Sequence, residues 1–226
     1  MKFDEELDRK ILGLARIYKL YDYSEHQPHR RKMDKGRKWA QDNIFNNLTI
    51  LEHSSDEVFA RTFREMFKQF DGHIAIRRFP VDNIRVIQIR EDFIGGIKYL
   101  LNSKDNIYDT ISNLVDGEYK VSNLGLPVWS YLAYSKEPDM IIINQRVFAF
   151  FNILGIDIGK TALEQSKNIK TYYDHWIKEY NKTAREGQEI DQIDIDHMVW
   201  FSQTQEGGQQ FMMTNFGAPK GDPLNG

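Results

Sequence analysis

Ile107-Tyr-Asp-Thr-Ile-Ser-Asn-Leu-Val115, a break at Asp116-Gly117, then Tyr119-Lys-Val-Ser-Asn-Leu-Gly-Leu-Pro-Val-Trp-Ser-Tyr-Leu-Ala-Tyr134 is the stretch on which the fold turns. Ile107, Ile111, Leu114 and Val115 recur at helical spacing, and so do the apolar residues from Leu126 onward. Between them Asn123-Leu124-Gly125 carries two residue types that tolerate positive φ, so the spacing predicts two short helices joined by a tight turn at 117–126. The N–H groups at the start of the second helix then face outward. Such a terminus suits a phosphate oxygen, because unsatisfied donors and the helix dipole act together, and no cationic side chain is needed. About twenty residues on, Pro138-Asp-Met-Ile-Ile-Ile-Asn-Gln-Arg-Val147 is an apolar run that ends in a polar residue at a helix start, with Asn144 placed to cap a helix over 145–154.

Outward from this centre the pattern stays helical. Leu7, Ile11, Leu14, Ala15 and Tyr18 share one face, behind Asp4, Glu5 and Glu6 at the dipole-favoured end. A polar stretch, 24–38, with Pro28 inside it, precedes a helix expected over 33–48. Ser54-Ser55-Asp56 opens a third helix carrying Val58, Phe59, Phe63, Met66, Phe67 and Phe70. Residues 73–89 are rich in β-branched side chains, and Arg85-Val-Ile-Gln-Ile-Arg90 alternates like a strand; the segment reads either as a short strand or as the start of a buried helix, and any β structure is expected here. Helices follow over 91–101, 126–134, 145–154, 169–180 and 191–202. The expected fold is mainly α, about ten helices in two lobes: a single domain over 1–205 with the hairpin-bearing segment at 106–155, and a Gly/Gln-rich tail over 206–226.

Composition narrows the chemistry. Hydrophobic residues make 41% of the 226 and charged residues 28%, the balance of a folded chain. With 30 basic and 33 acidic residues the net charge is −3, so binding by bulk positive charge is excluded, although a local basic patch is not. The absence of cysteine removes disulfides, thiolate zinc sites, iron–sulfur clusters and cysteine nucleophiles. No apolar run reaches the length of a membrane helix, and MKFDEELDRK carries acid where a signal peptide needs an apolar core, so a cytoplasmic protein without membrane contact is expected. No P-loop, dinucleotide fingerprint or Gly-x-Ser-x-Gly elbow occurs.

On the residues of 107–154 the chain resembles the helix-hairpin-helix DNA glycosylases, the group that includes 8-oxoguanine and adenine glycosylases. That family clasps the DNA backbone with a Leu-x-Gly-x-Gly hairpin and sets a catalytic aspartate at a helix start about twenty residues later. Asn123-Leu124-Gly125 matches the second half of the hairpin and Ile142-Ile143-Asn144 the aspartate loop. The resemblance implies a monomer on double-stranded DNA that flips a modified or damaged base into a pocket and excises it, with no cofactor and no metal. It assigns DNA contact to Lys120, Asn123, Leu124, Gly125 and Leu126, and catalysis to position 144. Three departures matter. The first hairpin glycine is Asn123. The lysine nucleophile of bifunctional members is Pro127, which leaves a monofunctional enzyme. The aspartate is Asn144, an amide that cannot carry the charge that steadies a sugar cation. Either another carboxylate acts, with Asp139 nearest in sequence, or the chain is an inactivated variant, or it binds DNA without cutting. The divergence leaves room for a bulky modified pyrimidine, such as the hypermodified cytosines of phage DNA, and for a role in defence against phage.

Further candidates lie outside the hairpin. Arg30, Arg31 and Lys32 open a run of six cations in nine residues, read either as a solvated helix face or as a phosphate patch, and Arg146 is a weaker phosphate candidate. Trp39, directly after that run, is placed to stack on a base. The late helix 191–202 offers Asp196 and Trp200 as walls of a base pocket, while Asp194, Asp196 and His197 lack any metal-ligand spacing motif.

Overall fold

The computed structural model describes residues 3–24, 28–70 and 83–217, and among these the fold is all α, with twelve helices and no strand. In chain order they are α1 Glu5–Ser24, α2 Pro28–Ala40, α3 Leu48–His53, α4 Asp56–Gln69, α5 Asn83–Gln88, α6 Arg90–Asn102 and α7 Ile107–Val115. After the hairpin come α8 Leu126–Lys136, α9 Gln145–Ile153, α10 Ala162–Asn181, α11 Gln192–Thr204 and α12 Glu206–Phe216. A π-helical turn, Gln41–Phe45, follows α2 directly.

The chain divides into two compact units, one of Met1–Arg30, Gln145–Lys160 and Glu164–Gly226, the other of Arg31–Asn144 and Thr161–Leu163. The first is built around α1, α9, α10 and α11. Tyr18 from α1, Phe150 and Phe151 from α9, and Tyr173 and Trp176 from α10 are fully buried in it, with ring centroids 5.7–6.3 Å apart among Phe151, Tyr173 and Trp176. The second is centred on α8, whose residues are buried on every face from Val128 to Ser135. Trp129 lies beside Phe93 of α6, and Phe59, Phe63 and Phe67 of α4 complete an aromatic core that mixes stacked, tilted and edge-on pairs.

Four sequence expectations change. Over Arg85–Arg90 the strand reading gives way to the helical one: 83–88 is α5 and Arg90 opens α6. Val86, Ile89, Phe93 and Ile97 are the buried positions, steps of three and four that a period-two reading of six residues conceals. The rest of the segment expected to hold β structure, 73–82, lies outside the described residues. The helix expected from 33 begins at Pro28, because proline is at home in a first helical turn. It goes unnoticed in hydropathy because its buried stripe is small and narrow: Met33, Gly36, Ala40 and Ile44. The stretch taken as the start of a tail, 206–216, is α12. Gly208 is there for packing, since a Cβ on it would stand 2.3 Å from the Phe201 carbonyl oxygen of α11. The helix expected from 169 starts earlier, at Ala162.

Candidate functional site

In the 117–126 connection Asp116 caps α7, and its Oδ2 accepts the Ala162 N–H at 3.2 Å. Asn123 has φ +66, the left-handed conformation that its short amide side chain tolerates and a branched one does not. Gly125 does not share it: at φ −91, ψ −173 it is an extended N-cap of α8 that any residue adopts. Leu124 and Leu126 are buried anchors, and the Leu124 N–H is spent on the Val121 carbonyl at 3.1 Å. Pro127 has no N–H, and Val128 and Trp129 both donate to the Gly125 carbonyl. Among the described residues the Gly125 and Leu126 amides of this helix start donate to no acceptor, and no side chain caps them. Lys120, Ser122 and Asn123 are exposed around them. Tyr119 is exposed as well and stacks on Tyr99 at 3.9 Å, a neighbour of the hairpin that sequence alone did not single out.

Asn144 is buried, directly ahead of α9. Ser130 of α8 fixes the extended segment before it. Its Oγ accepts the Ile143 N–H at 3.0 Å and lies 3.3 Å from the Ile143 carbonyl oxygen, to which it donates. A serine inside a buried helix signals this only once the partner is seen. Asp139 is exposed in the turn after α8, a solvated carboxylate five residues from the buried amide.

Of the cations on α2, Arg31 and Lys32 are exposed. Arg30 is engaged elsewhere: its guanidinium forms a two-pronged pair with Asp191, at 2.8 and 3.0 Å, and reaches Asp194 at 3.1 Å. The Asp191 hydrogen bonds hold it charged above the ordinary arginine range. Trp39 lies at the end of α2, its carbonyl accepting from Asn43. Arg146, in the first turn of α9, accepts the Gln203 side-chain amide on its carbonyl at 2.8 Å.

The first unit holds a buried polar cluster where α1, the start of α2, α10 and α11 meet. Asp191 and Asp194 form a reciprocal capping box on α11, so Asp194 serves that helix start. Tyr18 Oη donates to Asp194 Oδ1 at 3.2 Å, and Lys19 lies 3.7 Å from Asp194 and 3.8 Å from Asp22. Burial and the neighbouring Asp194 push the Asp22 carboxyl above its usual value, and burial with both carboxylates raises the Tyr18 phenol. His197 Nδ1 is 3.3 Å from Tyr18 Oη and 3.9 Å from Asp22, and His29 Nε2 is 3.4 Å from Asp196. The two imidazoles stack face to face at 4.0 Å, and Trp200 lies over His197 at 4.8 Å. The structure thus sets Asp196, His197 and Trp200 of α11 beside His29 of α2, which sequence reasoning passed over because it comes from a separate helix. Among the described residues no group of three or more His, Asp or Glu side chains is arranged to hold a metal ion, and no helix is long and apolar enough to cross a membrane.

Comparison with protein-family models, with curated proteins and with solved structures finds no match to this chain.

Proposed function

We propose that this chain is a monofunctional DNA glycosylase of the helix-hairpin-helix kind, which extrudes a modified or damaged base from double-stranded DNA and hydrolyses its glycosidic bond. The observation that carries the reading is the helix start at 125–126. Two uncapped amides follow a left-handed Asn123, on a connection anchored by Leu124 and Leu126, and a buried polar residue stands at the start of α9 a short extended segment after α8. One phosphate oxygen accepts from both amides, and Lys120 adds local charge to a chain whose net charge is −3. Extrusion costs a few kcal/mol, least for a poorly stacked or mispaired base. With proline at 127 no amine attacks the sugar, so water completes the reaction and an abasic site remains.

Duplexes carrying single modified bases, incubated with the protein and then treated with alkali, test this directly. Strand scission at the modified position on at least one of them supports it. Salt-dependent duplex binding with no scission on any of them replaces it with a second reading, a binding module that clasps DNA without cutting. Asn144 favours that second reading, since an amide stands where the chemistry asks for an anion. No duplex binding at low salt removes both.

A further inference from the structure

Tyr119 stands in the connection between α7 and α8, 42% exposed, and its ring lies flat on that of Tyr99 from α6, with centroids 3.9 Å apart and an interplanar angle of 8°. A single tyrosine at a surface calls for no explanation. Two features set this one apart. The ring beneath it is fixed: Asn113 Nδ2 of α7 donates to the Tyr99 hydroxyl at 2.9 Å, and that hydroxyl donates to Asp105 Oδ2 at 3.2 Å. With one face on Tyr99, the exposure of Tyr119 falls on its opposite face and its edge. The second feature is position. A turn closed by the Leu124 N–H on the Val121 carbonyl, at 3.1 Å, carries the chain on to the open amides of Gly125 and Leu126. That turn keeps Tyr119 within about 18 Å of Gly125, the length of roughly five stacked nucleotides. Lys120 and, in the loop that holds Asp105, Lys104 are exposed. The carboxylates of Asp105 and Asp116 accept from Tyr99 and from the Ala162 N–H, and Glu118 is exposed. A fixed aromatic face thus adjoins donors and cations suited to a phosphate chain.

We infer that the Tyr99–Tyr119 pair is a stacking platform for an unpaired base of the DNA strand whose phosphate the 125–126 amides take, so that the preferred ligand is a duplex interrupted by a short single-stranded gap. The inference rests on the phosphate-clasping part of the proposed function and adds the state of the strand. A paired base has both faces covered by its neighbours, and reaching it costs unstacking and unpairing. A base in a gap presents an open π face without that cost. Tyr119 is already held parallel to Tyr99, so it loses little side-chain freedom when a base settles on it. The amides and lysines act on paired and unpaired strands alike, and the ring is what tells the two apart. Stacking uses the face of the base and not its hydrogen-bonding edge, so the platform accepts any base.

The full chain is titrated at one low salt concentration against two labelled DNAs of the same sequence, a fully paired duplex and the duplex with a gap of about five nucleotides in one strand. The gapped form is expected to bind roughly fivefold tighter or more. Tyr119→Leu keeps an apolar contact with Tyr99 but has no π face, so it brings the two DNAs to parity. Stacking neutralises no phosphate, so this variant keeps the logarithmic salt slope of the parent, whereas Lys120→Ala flattens it by about one. Tyr119→Trp retains the preference, and its emission beyond that of the parent is quenched by the gapped duplex and not by the paired one, a readout that stands even if Tyr119→Leu does not fold. Equal affinity for both DNAs overturns the inference. So does a gap preference that survives in Tyr119→Leu, which would report the easier bending of gapped DNA. In either case the paired duplex still binds and the phosphate clasp stands. Binding of neither DNA overturns both the platform and the clasp.

Discussion

At Asn123 the backbone conformation sets what the side chain must be. A left-handed residue other than glycine, asparagine or aspartate costs roughly 1–2 kcal/mol, so Asn123→Ala should lower the unfolding free energy by that amount, read as a lower urea midpoint, while Asn123→Gly stays near the parent. Gly125 behaves in the opposite way. Its extended backbone accepts any side chain, and a Cβ there meets only Pro127 Cδ at 3.7 Å. Gly125→Val should therefore fold normally, and a drop in duplex affinity would report obstruction of the approach to the 125–126 amides. Unchanged affinity with intact helicity would make the connection purely structural. Asn144 is the residue on which catalysis is most directly readable. An anion at the start of α9 gains from its dipole and, in the glycosylase reading, steadies the developing sugar cation. Asn144→Asp is expected to raise single-turnover excision by about 3 kcal/mol of barrier, roughly a hundredfold, and Asn144→Ala to give no such gain. If the parent is already fast and Asn144→Ala equals it, position 144 is not the catalytic site.

Single helices carry two further expectations. On α2 the adjacent cations divide by exposure. Arg31 and Lys32 are exposed, so replacing either with alanine should weaken duplex binding evenly across sequences and flatten the logarithmic salt slope by about one for each phosphate no longer neutralised. Arg30 pairs with Asp191 and Asp194, so Arg30→Ala should lower thermal stability and leave the salt slope alone. A flatter salt slope at unchanged stability for Arg30→Ala would reverse this division. At the other end of the chain, α12 packs on α1 and α11, burying Met212 and bringing Phe211 within 3.3 Å of a Cβ placed on Gly13. Truncation after Gln205 should then cost on the order of 2–4 kcal/mol as that apolar surface returns to water, read as a fall in urea midpoint. A dispensable tail would show no change.

For the molecule as a whole, acid and base act on different carboxyls with opposite sign. The Asp191 side chain is more than half exposed, and the Arg30 pair with the backbone N–H groups of Asp194 and Ile193 holds this carboxyl below its usual value. Its contribution is present above the unfolded pKa and is lost as pH falls through the folded one. Asp22 runs the other way. Burial and Asp194 raise it, so its contribution is complete below the unfolded pKa and is lost as pH rises through the raised folded value. Asp22→Asn should then be more stable than the parent near neutral pH, with the advantage shrinking in acid as the parent carboxyl takes its proton. Urea midpoints across a pH series measure this, and a variant less stable than the parent at neutral pH would show that the Lys19 and His197 interactions outweigh the burial.

The sequence by itself determined the all-helical class and most of the helices, because a period of 3.6 in apolar residues is a local property: α1, α4, α7, α8 and α9 stand close to where spacing and caps place them. It also determined the left-handed turn at Asn123, since few residue types tolerate that conformation. Where the buried face was made of small residues, as along Met33, Gly36 and Ala40, or where a glycine served close approach and not a turn, as at Gly208, local pattern misled, because what fills those faces comes from another element. The same reason separates the hairpin connection from the buried polar cluster of the other unit. A ten-residue connection holds its own chemistry and is legible in order. The stacked imidazoles, the unbonded phenol of Tyr173 and the commitment of Arg30 to Asp191 exist only because α1, α2, α10 and α11 converge on residues far apart in the chain. Tertiary packing alone decides which of those charges are free to meet a ligand and which hold the protein together.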